Sequence, residues 1–184
     1  RRVLFRSRLA KLVNELLMLT KLDQKIKLEM KNENIKEIVE EVYPQLQILA
    51  GERIINLELK DNLLVKANRN QIKQIIYNLV QNALQHTDEK NGVVSISLNS
   101  IDRPSGSFMV LKIKDNGSGI PEKDLNEIFD RFFRSDNHRS RKSGGYGLGL
   151  SIVKSIVDAH HGEINVWSEL NKGTSFSIFI RLVE

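Results

Sequence analysis

Residues 115–150 constrain the fold more than any other stretch, running from DNGSGI to GGYGLGL with IFDRFFRSDNHRSRKS between them. Glycine lacks a Cβ, so such clusters mark backbone that approaches something closely or adopts φ > 0. GGYGLGL leads directly into LSIVKSIVDAH, whose apolar periodicity predicts a helix. Glycine-rich N–H groups at a helix N-terminus suit phosphate, which implies a nucleotide site. The stretch between the clusters is aromatic and then basic, and reads as a cover. Residues 136–143 hold no apolar side chain to bury, so that cover is expected to be mobile without ligand.

Either cluster alone would be ordinary turn chemistry. The common phosphate motifs are absent: there is no GxxxxGK[ST], GGYGLGL does not satisfy the dinucleotide fingerprint, and HRD and DFG are missing. Specificity comes from upstream, in NRNQIKQIIYNLVQNALQHT at 68–87. Ile72, Ile75, Ile76, Leu79, Val80 and Ala83 recur at helical spacing and define a core face. Asn78 and Asn82, four apart, stack on one side of that helix. An amide oxygen is a hard ligand that Mg²⁺ accepts beside substrate phosphates, although such a pair alone is more often a solvated face.

In order, NLVQNALQHT, DNGSGI, FDRFFR, GGYGLGL and NKGTSF closely resemble the ATP-binding domain of sensor histidine kinases, over about residues 25–184. Gyrase, mismatch-repair and chaperone ATPases share the asparagine and the first glycine box, whereas FDRFFR and GxGLGLSIVK favour the kinases. The resemblance implies ATP and Mg²⁺ as ligands, with Asn82 as the metal ligand and Asn78 supporting it. Asp115 becomes the acceptor for the adenine amino group, with Gly117 and Gly119 passing under the base, Ile120 among the binding residues and Thr174 helping to hold the base through water. Arg134 resembles the arginine that meets the γ-phosphate, where charge spreads during transfer. Phe133, Gly145, Tyr146, Gly147, Leu148, Gly149 and Leu150 complete the nucleotide-binding set.

Some positions depart from the family pattern. Where related ATPases carry a water-activating glutamate, this chain has Asn78, which is no general base at neutral pH. That favours phosphoryl transfer to a positioned acceptor over hydrolysis. Gln85 stands where the kinases often carry Lys, His86 where they often carry Tyr, and Tyr146 where a small residue is common. The resemblance further implies transfer of the γ-phosphoryl to a histidine and onward to a response-regulator receiver domain. None of His86, His138, His160 and His161 lies in an HExxxP-like context, so the acceptor is expected outside this chain. A serine kinase of the anti-sigma type and a nucleotide-gated clamp are the alternatives; residues 1–24 argue against the first and Asn78 against the second.

Composition narrows the classes further. With 184 residues and 40% hydrophobic content, the chain can bury one good core. It has no cysteine, which excludes a disulfide framework or thiolate metal site. No apolar run is long enough for a membrane span and no signal peptide is evident; the resemblance implies a cytoplasmic domain, anchored only through segments absent here. The net charge of +5 is spread along the chain apart from 131–142, where a triphosphate would absorb it, so nucleic acid is not an expected partner.

Residues 1–24 carry Leu9, Leu12, Leu16 and Leu19, with Val13 and Leu17 widening the stripe. That predicts an amphipathic helix, packed either on its own domain or in a bundle. It resembles the end of the second dimerisation helix of the kinases, which implies a homodimer in the longer protein. Residues 25–184 form the ATP-binding domain. Within it, strands are expected at 25–31, 53–60 (RIINLELK, with Ile55, Leu57 and Leu59 alternating with polar residues) and 63–66, with a helix at 35–50 bent or broken at Pro44. Asn68 should cap the asparagine helix. VVSISLN and FMVLKIK pair across DRPSGS, and a last hairpin turns at ELNKGT. The phenylalanines 129, 132 and 133 should anchor the cover to the core. The order of elements predicts an α+β fold, a mixed and mainly antiparallel sheet with helices on one face; the resemblance implies the same two-layer α/β sandwich.

Overall fold

The computed structural model describes residues 10, 13–20, 29–60, 63–134 and 146–183. Helix α1 covers 13–20. It is followed by β1 (Lys31–Asn34), α2 (Ile35–Ala50), β2 (Ile54–Leu59), β3 (Leu64–Ala67), α3 (Arg69–His86), β4 (Val93–Arg103), β5 (Gly106–Asp115), α4 (Gly149–Ala159), β6 (Glu163–Glu169) and β7 (Gly173–Arg181). Strands β1 and β3 pair alone, and the main sheet has the order β2-β4-β5-β7-β6. Among the described strands only β2 and β4 run parallel; the other pairs are antiparallel. The α+β sandwich expected from the sequence is what the chain adopts.

Side chains alternate across a strand, and the register turns that alternation into rows. Leu57, Ile96, Ile113, Phe176 and Val166 form one row across all five strands, and Leu59, Leu98, Leu111, Ile178 and Ile164 form the next. Both rows meet α2, α3 and α4 in a single core cluster. The alternate row of Asn56, Ser95, Lys114, Ser175 and Trp167 lies on the sheet's other face.

Asn34 caps α2 through Lys36 N–H, and Gly51, at φ 63°, ends it. Pro44 does not break the helix. Burial of Ile35, Ile38, Val39, Val42, Leu46 and Ala50 along one face outweighs the roughly 3 kcal/mol that an internal proline costs. The first strand forms later than expected, at Lys31–Asn34, because it is the stretch opposite β3; residues 25–28 lie outside the described residues. The β4–β5 turn is also tighter than DRPSGS suggests. Arg103 already pairs with Gly106, whose φ of 122° lets the chain reverse around Pro104 and Ser105.

The amphipathic N-terminal segment uses two faces. Leu19 is buried in the domain core with Met18 packed beside it, while Val13, Leu16 and Leu17 stay exposed. No described helix is long and apolar enough to cross a membrane.

The start of α3 is joined to the end of α4. Asn68 caps α3 by accepting from Gln71 N–H at 3.2 Å. Its own N–H donates to His160 Nε2 at 3.0 Å, and His160 Nδ1 reaches Ile156 O at 2.8 Å. One ring nitrogen accepts and the other donates, so the buried imidazole is neutral. Burial holds its pKa below the ordinary 6.5 despite the Ile156 bond. Because the folded pKa lies below the unfolded one, the stabilisation is complete above about pH 6.5 and is lost as pH falls through the lowered value. His160→Ala is expected to cost about 2 kcal/mol at pH 8. That gap should narrow in acid; thermal unfolding at several pH values checks it.

Candidate nucleotide site

The fold converges the separate motifs on one cavity of about 520 Å³, bounded by α3, the end of β5, the glycine turns and the start of α4. That volume suits a nucleotide-sized ligand. The cavity is lined by Asn78, Asn82, Gln85, His86, Asp115, Gly119, Ile120, Phe133, Arg134, Tyr146, Gly147, Gly149, Leu150 and Thr174. Gly117 and Leu148 stand behind the wall: Gly117 N–H donates to Asp115, and the Leu148 side chain is fully buried in the core. Gly145 lies outside the described residues.

Asp115 is buried at the end of β5. Its Oδ1 accepts from Gly117 N–H at 2.8 Å and from Thr174 N–H at 3.2 Å. Both bonds use one oxygen, so Oδ2 remains for a ligand. Burial pushes the carboxyl above its ordinary range, opposed by those two N–H groups. The surrounding turns hold this geometry by close approach. A Cβ on Gly117 would lie 2.8 Å from Asp115 Oδ1. On Gly173, at φ 102°, it would strike the Asp115 carbonyl, and on Gly119, at φ 71°, the Glu169 carbonyl.

Asn78 and Asn82 share the cavity wall but differ in freedom. Asn78 Oδ1 accepts from Gln74 at 2.8 Å, and its Nδ2 donates to Gly149 O at 3.1 Å. That ties the asparagine helix to the first residue of α4. Asn82 has no hydrogen-bond partner among the described residues, so its amide oxygen is available in the cavity. No group of three or more acidic or histidine side chains suited to a metal occurs among the described residues. A single hard oxygen fits Mg²⁺ held chiefly by phosphates and water.

The two ends of the cover are stitched together, Phe132 N–H donating to Gly147 O at 2.9 Å. Phe129 meets Phe176 edge-on at 6.4 Å between centroids, and Phe133 packs on the core. Phe132 departs from the expectation of an anchor: it is 58% exposed and sits at φ 67°, because the turn that meets Gly147 swings its side chain outward. Tyr146 packs on the core and lines the cavity.

Sequence reasoning missed several walls. Gln81 follows from helical spacing with Asn78 and Gln85. Ser118, Pro121, Ile128, Leu170 and Asn171 come from turns adjoining the motifs, and Glu15 arrives from α1. Ser168, behind the wall, carries no local signal at all.

Residues 67–184 match the family described as histidine kinase-, DNA gyrase B-, and HSP90-like ATPase. The chain belongs to that family. It is 36% identical over 168 residues to the sensor histidine kinase YkoH of Bacillus subtilis (strain 168), a match covering 91% of this chain and 36% of that protein. The signal transduction histidine-protein kinase ArlS of Staphylococcus aureus (strain USA300) is 37% identical over 174 residues, covering 94% and 38%. Among solved structures, the catalytic domain of the histidine kinase ThkA superposes with a TM-score of 0.69 at 30% identity, covering 84% of this chain and 97% of that one. Within the family, this is an ATP-binding catalytic domain of the sensor histidine kinase kind. The chain spans less than two-fifths of the length of these curated relatives.

Proposed function

We propose that the domain presents ATP for transfer of its γ-phosphoryl to a histidine elsewhere in a longer sensor kinase, and onward to a receiver-domain aspartate. The observation that carries this reading is the convergence of a buried Asp115, a free Asn82 and the α4 glycine turn on one cavity. Asp115 Oδ2 accepts from the adenine amino group and Thr174 completes the base edge. The turn at Gly147 and Gly149 offers backbone to the phosphates, and Arg134 meets the γ-phosphate. Asn82 would hold Mg²⁺, which when bound neutralises phosphate charge as the bond to the leaving oxygen weakens. Asn78 is already engaged by Gln74 and Gly149; as an amide it activates no water. Its role is to keep the phosphate end of the cavity aligned.

Helix α1 belongs to the part through which the longer protein dimerises, and the exposed Val13, Leu16 and Leu17 are the surface for it; the rest of 1–24, apart from residue 10, lies outside the described residues. Membrane anchoring belongs to segments other than this one. No histidine described here is set up as acceptor. His160 is buried with both nitrogens engaged, His161 sits past the end of α4, and His86 is part of the cavity wall; His138 lies outside the described residues. Incubated alone with labelled ATP and Mg²⁺, the chain is expected to bind nucleotide, turn it over negligibly and remain unlabelled. A separately supplied dimerisation segment bearing an HExxxP-type histidine should then be labelled, at least weakly. Acid-labile, base-stable label on the chain itself would overturn this reading, and steady ATP hydrolysis would favour a clamp-type ATPase.

A further inference from the structure

Ser168 lies on β6, 53 positions beyond Asp115 in the sequence, and does not line the cavity. Its hydroxyl nevertheless joins the two walls between which a base would sit. Ile120 N–H donates to Ser168 Oγ at 2.8 Å. Gly173 O lies 3.1 Å away as an acceptor, and Thr174 Oγ1 lies at 2.9 Å. A backbone N–H can only donate, so Ile120 occupies one serine lone pair whatever else changes.

The single serine hydrogen then has two destinations. Directed to Gly173 O, it leaves Thr174 to donate back to Ser168, and Thr174 shows the cavity only lone pairs. Directed to Thr174 Oγ1, it satisfies that oxygen as an acceptor and releases the threonine hydrogen toward the cavity. The first arrangement sets two acceptors, Asp115 and Thr174, side by side. The second sets an acceptor beside a donor, which matches the adenine edge: an amino group that donates and a ring N1 that accepts, directly or through water. Guanine offers the reverse order, a carbonyl acceptor and an N1–H donor. Thr174 is itself buried and pinned by its N–H to Asp115 Oδ1, so the rotor that remains is the hydroxyl pair.

We propose that Ser168 is a positioning residue for base recognition: by donating to Thr174 it turns that hydroxyl into the donor that reads purine N1. The inference rests on the assignment of the cavity to adenine beside Asp115, and it adds a residue that touches no ligand.

The test compares ATP with 1-deaza-ATP, which keeps the amino group but has a C–H in place of N1, by calorimetry on the intact chain. Wild type is expected to bind ATP about 3- to 10-fold more tightly than 1-deaza-ATP, the worth of one neutral hydrogen bond. Ser168→Ala should weaken ATP by that factor and leave 1-deaza-ATP within about twofold of wild type. Ser168→Thr, which keeps the hydroxyl on a strand position that tolerates β-branching, should retain the wild-type ratio. Equal weakening of both ligands in S168A would reduce Ser168 to a structural strut and overturn the proposal, as would an unchanged ATP affinity or an S168T ratio that follows S168A. If S168A does not fold, Thr174→Val supplies the same comparison, and S168T introduced into that background should then leave the ratio unaltered. Asp115→Asn separates the two levels. If it binds ATP like wild type, the adenine assignment itself fails; if it does not, and S168A keeps the wild-type ratio, only the role of Ser168 fails.

Discussion

Asp115→Asn is expected to lose ATP binding while making the unliganded domain more resistant to heat. Asparagine keeps an oxygen where Oδ1 accepts from Gly117 and Thr174, so the turns stay pinned. Its amide nitrogen then takes the place of Oδ2. A hydrogen bond to a charged acceptor is worth roughly 1.5–3 kcal/mol, so its loss alone weakens ATP by about 10- to 150-fold. The amide adds a donor facing the adenine amino donor, which places the variant at or beyond the upper end. Asp115→Ala, which lacks that clash, should fall within the range.

The gain in stability follows from burial. The folded pKa of Asp115 is raised, so its favourable contribution is complete below the unfolded value near about pH 4 and is lost as pH rises through the raised one. Above that window the native state carries the cost of burying a group that is charged in the unfolded chain, and a neutral isostere removes it. Calorimetric titration and thermal scans on the same sample check both halves. ATP affinity within about twofold of wild type would remove Asp115 from base recognition, and an advantage in melting temperature as large at pH 4 as at pH 7 would remove the electrostatic cause.

Asn82→Ala should make ATP affinity indifferent to Mg²⁺. In wild type the amide oxygen is free of partners among the described residues and lines the cavity, so nothing has to be broken for it to take a cation. Losing an outer-shell partner of a metal ligand already costs about 10- to 100-fold in metal affinity, and losing the protein's own ligand should cost at least that. Metal-free ATP should bind the variant and wild type alike. Titrating Mg²⁺ at fixed ATP separates the outcomes: a variant that follows the wild-type curve would place the cation on other residues. The neighbouring Asn78→Ala is expected to behave differently. It breaks the link to Gly149 O, loosening the start of α4 without abolishing the Mg²⁺ response.

Asp115 shows why the motifs were legible. The residue can close a turn and still face a ligand, because a carboxylate has two oxygens. Oδ1 closes the turn onto Gly117, and Oδ2 is left for the ligand. The positive φ at Gly119, Gly147 and Gly173 was legible in the same way, since only glycine meets such close backbone approach without strain. What misled was hydrophobicity taken alone. Phe132 looks like an anchor in FDRFFR, yet its left-handed backbone turns it outward.

Local periodicity and short motifs, then, determined the elements, the fold class and most of the residues that line the cavity. Helical spacing aligned Asn78 with Asn82, and Asn68 marked where their helix begins. All of these act within a turn or two of the chain, where 3.6- and 2-residue periods carry the information. The tertiary structure alone decided which distant segments stand behind the walls. It brought Glu15 to the cavity, His160 to the cap of α3, and Ser168 between Ile120 and Thr174. A serine on a strand or a histidine at a helix end has no local pattern announcing its partner. The partner is set by sheet order and helix packing, which close loops of tens of residues and depend on the whole core forming at once.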